Sequence, residues 1–191
     1  MQSTLANASI PAHIDAALSN DIGYFLDRSL SFAAKEKVFQ VCAVTAGANS
    51  PEWVGLIKSW GFALDASPVA SSHQMSQSWL WYALARGKLF QAVALVEAGA
   101  RRMDVNSEGV SGLGSLIQEN AQFSLDRLFP LLKTLESHGL GWQNWPDASA
   151  MNDAVMKARG ASLGELLSQY DACCISVSTP NTAQEVLPVR L

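Results

Sequence analysis

Charged side chains are scarce in this sequence. Lysine, arginine, aspartate and glutamate make up 16% of its 191 residues, against about 25% in average soluble proteins. There is no run of lysine or arginine, and the formal net charge is -4. Nucleic-acid binding draws most of its affinity from basic side chains that neutralise phosphates, so no nucleic-acid partner is expected. Lysine and arginine are absent before Arg28, which leaves a secretory signal without its positive n-region. No apolar run approaches the roughly 18 residues that cross a bilayer. The expectation is a cytoplasmic protein with no membrane partner.

Cysteine is also sparse, with three in the chain. Cys42 stands alone and Cys173 and Cys174 are adjacent. Neither arrangement offers a disulfide framework, or the spacing of about two to four residues found between paired zinc ligands. His13, His73 and His138 each lack a second ligand three or four positions on, so no metal is expected. His138 precedes Gly139, a place where an imidazole suits the carbonyl end of a helix. Cys42 lies among Val38, Phe39, Val41 and Val44, the setting of a small buried hydrophobe. "GVSGLG", Gly109 to Gly114, lacks the Gly-Lys-Ser/Thr ending of a phosphate loop. Glu108, Glu119 and Asp126 form no local acid pair. No catalytic, cofactor-binding or metal-ligating residue is assigned. The alternative of a small helical enzyme rests on Cys42, Cys173 or a histidine as its reactive group.

A strand period is missing too: no segment alternates apolar and polar residues. Apolar stretches of helical spacing recur instead, separated by short breaks. "SIPAHIDAALSN" opens with Ser9 as N-cap and Pro11 in the first turn, where a missing N–H is harmless. "IGYFLDRSLSF" places Ile22, Phe25, Leu26 and Ser29-Leu30 on one face, and "KVFQVCAVTAG" ends at Gly47. "SPEWVGLIKSWG" starts with Ser50 as N-cap and Pro51 behind it. The pattern continues through "SQSWLWYALARG", "KLFQAVALVEAG", "GLGSLIQENA", "SLDRLFPLLKTLESHG", "ASAMNDAVMKARG" and "SLGELLSQYDACC". The fold class is therefore all-α, with about eight to ten helices too short to persist alone.

Short helices that depend on packing suggest stacked units, and the glycines mark their turns. Gly87 and Gly99 bracket "KLFQAVALVEA", and Gly109 precedes "VSGLGSLI". Over Ser78 to Leu116 the chain resembles the ankyrin repeat: Leu80, Ala83, Gly87, Gly99-Ala100, Gly109 and Leu113 fall at matching spacings. It departs from the family where Thr-Pro-Leu-His belongs, offering "SWLW" from Ser78 and "SGLG" from Ser111. Beyond this stretch Gly61 and Gly139 lie further from Gly99 than one regular unit allows.

The resemblance implies an ankyrin-like solenoid of helix-turn-helix repeats over residues 11–174. Residues 1–10 are then a frayed N-terminus and residues 175–191 an extended tail. It also implies binding to one protein partner through the turn fingers and the first helices. That candidate face comprises His73, Gln74, Met75, Arg86, Arg101, Arg102, Asp104, Asn106, Glu108, Trp142 and Trp145. The two tryptophans admit two roles, a plug between units or an anchor for the partner; the arginines admit solvation or binding. Stand-alone ankyrin-like proteins of bacteria include immunity proteins, which implies a cognate toxin as partner. An effector or adaptor that binds a host protein is the alternative.

Overall fold

The computed structural model describes residues 9–26, 28–45, 49–68, 77–122 and 124–178, the last five by backbone alone. Among them are ten α-helices and no strand. These are α1 (Ile10–Leu18), α2 (Gly23–Leu26), α3 (Phe32–Val44), α4 (Glu52–Ser59) and α5 (Trp79–Ala85). They continue as α6 (Leu89–Glu97), α7 (Gly112–Asn120), α8 (Phe129–Ser137), α9 (Ala148–Arg159) and α10 (Leu163–Ser178). Short 3-10 turns occupy Leu125–Leu128 and Trp142–Asn144.

The helices start where small polar side chains accept the first free N–H groups. The hydroxyl of Ser31 accepts from the Ala34 N–H at 3.3 Å, that of Ser78 from Trp81 at 3.3 Å, and that of Ser111 from Gly114 at 2.8 Å. At α10, Ser162 and Glu165 exchange bonds: the Ser162 N–H donates to Glu165 Oε2 at 2.7 Å and the Glu165 N–H to Ser162 Oγ at 3.2 Å. That reciprocal box satisfies two donors at once. Ser9 occupies the N-cap position of α1 with extended backbone, but its side chain makes no cap bond. At the other end of α6, Gly99 has φ +108° and lets the next N–H, of Ala100, reach back to the Leu95 carbonyl at 2.9 Å. Only glycine takes that conformation without steric cost.

Several boundaries differ from the sequence reading. The run from Ile22 to Phe32 is not one helix: α2 covers Gly23–Leu26, and Ser31 begins α3. The apolar face read there dissolves, since Leu26 is largely exposed; Ser31 competes for the backbone as an N-cap. Helix α3 stops at Val44 with Thr45 as C-cap, and Gly47 lies outside the described residues. Helix α4 takes Pro51, not Ser50, as its N-cap. The tail does not begin at residue 175, because α10 runs on to Ser178. The first residue that disfavours helix before it is Pro180, so nothing stops the helix sooner. The N-terminal boundary also moves, with Ile10 already helical.

Packing follows parity along the chain. Helix α1 lies on α3, α3 on α5, α5 on α7 and α7 on α9, while α4 lies on α6 and α6 on α8. Within pairs, α3 meets α4, α5 meets α6, and α9 meets α10. One apolar cluster runs through all of these, from Ala16 to Leu167. Inside it Trp79 and Gln91 are fully buried, and the indole Nε1 donates to the amide oxygen at 3.1 Å. That bond ties α5 to α6 while satisfying two polar groups that would be costly to bury alone. Helices α5 and α7 approach so closely at Gly112 that a Cβ there would overlap the Trp81 carbonyl.

Candidate protein-binding face

The segments between helix pairs carry the polar residues singled out in the sequence. Between α6 and α7, Val105 and Ser111 form an isolated antiparallel bridge. The turn closes with the Asn106 N–H on the Val110 carbonyl at 2.9 Å. Asn106 Oδ1 accepts from the N–H groups of Glu108 at 2.9 Å and Val110 at 3.0 Å. Asn106 is thus the frame of this finger, and Glu108 is exposed at its tip.

Arg101, Arg102 and Asp104 are brought together with Asp65, a residue the sequence reading did not single out. Asp65 Oδ1 accepts the N–H groups of Arg101 at 3.0 Å and Arg102 at 3.1 Å. The Arg101 guanidinium donates to the carbonyls of Val96 and Ala100, both at 2.7 Å, so it closes the end of α6. Arg102 Nε pairs with Asp104 Oδ1 at 2.5 Å. Asp104 Oδ2 accepts the Ser78 N–H at 2.6 Å. The same construction recurs at the start of α7, where Asp147 Oδ2 accepts the Ser111 N–H at 2.8 Å. These charges hold fingers and helix starts in register; Arg86, at the end of α5, is exposed.

The tryptophans separate. Trp145 is 3% exposed and donates through Nε1 to the Leu140 carbonyl at 2.9 Å. It is a core residue, which corrects its place on an exposed face: a large ring whose N–H finds an internal acceptor is stable in the core. Trp142 is half-buried, with its ring against the first turn of α10 at Gly164. His73, Gln74 and Met75 lie outside the described residues.

An open concavity lies elsewhere among the described residues. A cleft of about 270 Å³ lies between the exposed side of α3 and residues 62–68. Phe39 and Phe62 floor it, Ala66 and Pro68 form one wall, and Glu36 and Lys37 stand on its rim. At its edge Phe32, 67% exposed, stacks on Phe62 with ring centres 5.9 Å apart and planes 22° from parallel. Sequence reading missed it because Phe32 reads as the end of the Ile22–Phe32 stretch, and its stacking partner Phe62 lies in a later segment. Its one local signal is Glu36, a turn later on the same side of α3.

Groups that catalysis would use are arranged differently. Cys42 is fully buried, and burial pushes its thiol far above the ordinary range, which keeps it a protonated, inert packing group. Cys173 is exposed. No cluster of three potential metal ligands occurs among the described residues. None of the described helices is long and apolar enough to cross a membrane.

No family model matches this chain, and neither a curated protein nor a solved structure shows a significant match to it.

Proposed function

We propose that this chain is a protein-binding module built from degenerate ankyrin-like repeats. The observation that carries the reading is the repeated helix start. Ser78 and Ser111 each cap an odd-numbered helix with the side chain, and each has its own N–H held by an aspartate from a later finger. They stand one ankyrin period apart, about 33 residues. The parity of packing, with odd helices on odd and even on even, fits a stacked solenoid of such units. Solenoids of this kind offer an extended surface of helices and fingers to a partner.

A narrower reading is an immunity protein that neutralises a cognate toxin by direct binding; it follows from the resemblance to stand-alone bacterial ankyrin-like proteins. The test is capture of tagged full-length protein from its native cells, with mass spectrometry of what co-elutes. A single stoichiometric protein supports the binding module, and a toxin encoded beside it supports the immunity role. A host protein as the captured species would replace immunity with an effector or adaptor role. Recovery of the chain alone at low salt would count against the module.

A further inference from the structure

On the protein-binding reading just given, we propose that the cleft between α3 and residues 62–68 receives an arginine side chain of the partner. The cleft's volume of about 270 Å³ is below the roughly 300–1,000 Å³ of drug-sized ligand pockets. It suits one long side chain.

The floor is apolar and rigid. Phe62 packs on Phe39 with ring centres 5.0 Å apart, and Phe39 packs on fully buried Trp79 at the same distance. Phe62 therefore presents an aromatic surface fixed to the core, and Phe32, largely open beside the cleft, stacks on it and extends that surface outward. A guanidinium stacks on such a surface, and its methylene stem covers apolar floor at the same time.

The rim supplies the matching charge. Glu36 is exposed and forms no ion pair among the described residues. Lys37 beside it is already directed to Gln40, its Nζ lying 3.1 Å from the amide oxygen. The carboxylate is the open electrostatic position at this cleft, and arginine meets a carboxylate with two parallel donors where lysine meets it with one. Lys37 disfavours the same guest, so its removal has a defined sign.

The test pans a random-peptide phage library on the immobilised full chain. A synthetic copy of the most enriched peptide is then titrated into wild type, E36Q, F32A and K37Q. All three positions are on the surface or its edge, and circular dichroism verifies that helicity is retained. The expected result is a shared arginine among enriched peptides, with E36Q and F32A each raising Kd about two- to fivefold. K37Q leaves Kd unchanged or lowers it. Enrichment of acidic peptides, tighter binding by E36Q, insensitivity to both E36Q and F32A, or no enrichment at all overturns the assignment. A native partner captured equally by wild type and an E36Q/F32A double variant overturns the cleft but leaves the protein-binding module standing. Peptide recognition at the cleft without any native partner supports the cleft and counts against the module.

Discussion

The ammonium of Lys88, at the start of α6, donates to the main-chain carbonyl of Cys42 in the last turn of α3. Both residues are buried, at 1% and 0% exposure. Burial pulls the Lys88 amine from 10.5 down to about 8, and pushes the Cys42 thiol up from 9.0. Their consequences for stability oppose each other. Between pH 8 and 10.5 the unfolded chain holds a lysine proton that the folded chain has released, so stability rises with pH by an amount on the order of 3 kcal/mol. From about pH 9 upward the unfolded chain loses a thiol proton that the folded chain keeps, so stability falls. In C42A the second effect is gone, and the urea midpoint is expected to climb from pH 8 to pH 10. In C42A/K88M it is expected to stay level. A level midpoint in C42A alone would show that Lys88 is not the titrating group.

Leu95 and Arg102 belong to one stretch but differ in consequence. Leu95 is fully buried, so Leu95→Ala is expected to cost about 2–5 kcal/mol in denaturant unfolding. Arg102 is 43% exposed on the side chain, and Arg102→Ala is expected to cost less than about 1 kcal/mol. Asp104→Ala falls between them, at about 1.5–3 kcal/mol, because it releases the Ser78 N–H from a charged acceptor. An Arg102→Ala loss as large as that of Asp104→Ala would make the ion pair, not the helix-start bond, the stabilising contact.

Gly112→Ala tests the approach of α5 and α7. The added methyl meets backbone, the Trp81 carbonyl, which cannot rotate away. The expected loss is about 1–3 kcal/mol, as in other overpacked cores. Helix propensity alone predicts a gain of up to about 1 kcal/mol, so the sign of the measured change decides between the two effects.

The N-terminal helices carry an acid-sensitive contact. His13 Nδ1 lies 3.0 Å from the Tyr24 hydroxyl. Burial, and secondarily the charge of Arg28, holds the imidazole below its ordinary 6.5. As pH falls below 6.5 the unfolded chain takes up that proton first, and stability drops. The thermal midpoint of wild type is therefore expected to fall more steeply between pH 7 and pH 5 than that of H13Q. Parallel curves would assign acid sensitivity to the carboxylates.

The helix–turn–helix from Ser78 to Gly99 was legible because its signals are local. Gly87 and Gly99 mark the turns within a few residues of the bonds made there, and the apolar spacing between them reports a face; that Ser78 and Ser111 cap the helices that follow them is seen only in the fold. The Ile22–Phe32 stretch misled because its apolar period continues through a serine that serves as an N-cap. Trp145 misled because tryptophan beside proline reads alike on a surface and in a core; only the fold shows the Leu140 carbonyl that satisfies its N–H once the ring is buried. Asp65 was invisible for a different reason. Its partners, Arg101 and Arg102, lie 36 and 37 residues away, and spacing within one helix says nothing about such a contact. The same holds for Phe62 and Phe32, which stack only after α3 and the 62–68 segment meet.

The bond between Asp147 and the Ser111 N–H spans 36 residues, and it has a consequence for synthesis. Growth at about 5–20 residues per second puts seconds between the appearance of the first turn of α7 and that of the carboxylate that secures it. During that interval the nascent helix lacks this acceptor, and Asp104 stands in the same relation to Ser78. At both helix starts, Ser78 and Ser111, the first turn leaves the ribosome before the carboxylate that secures it, so α5 and α7 are completed one step behind their own translation.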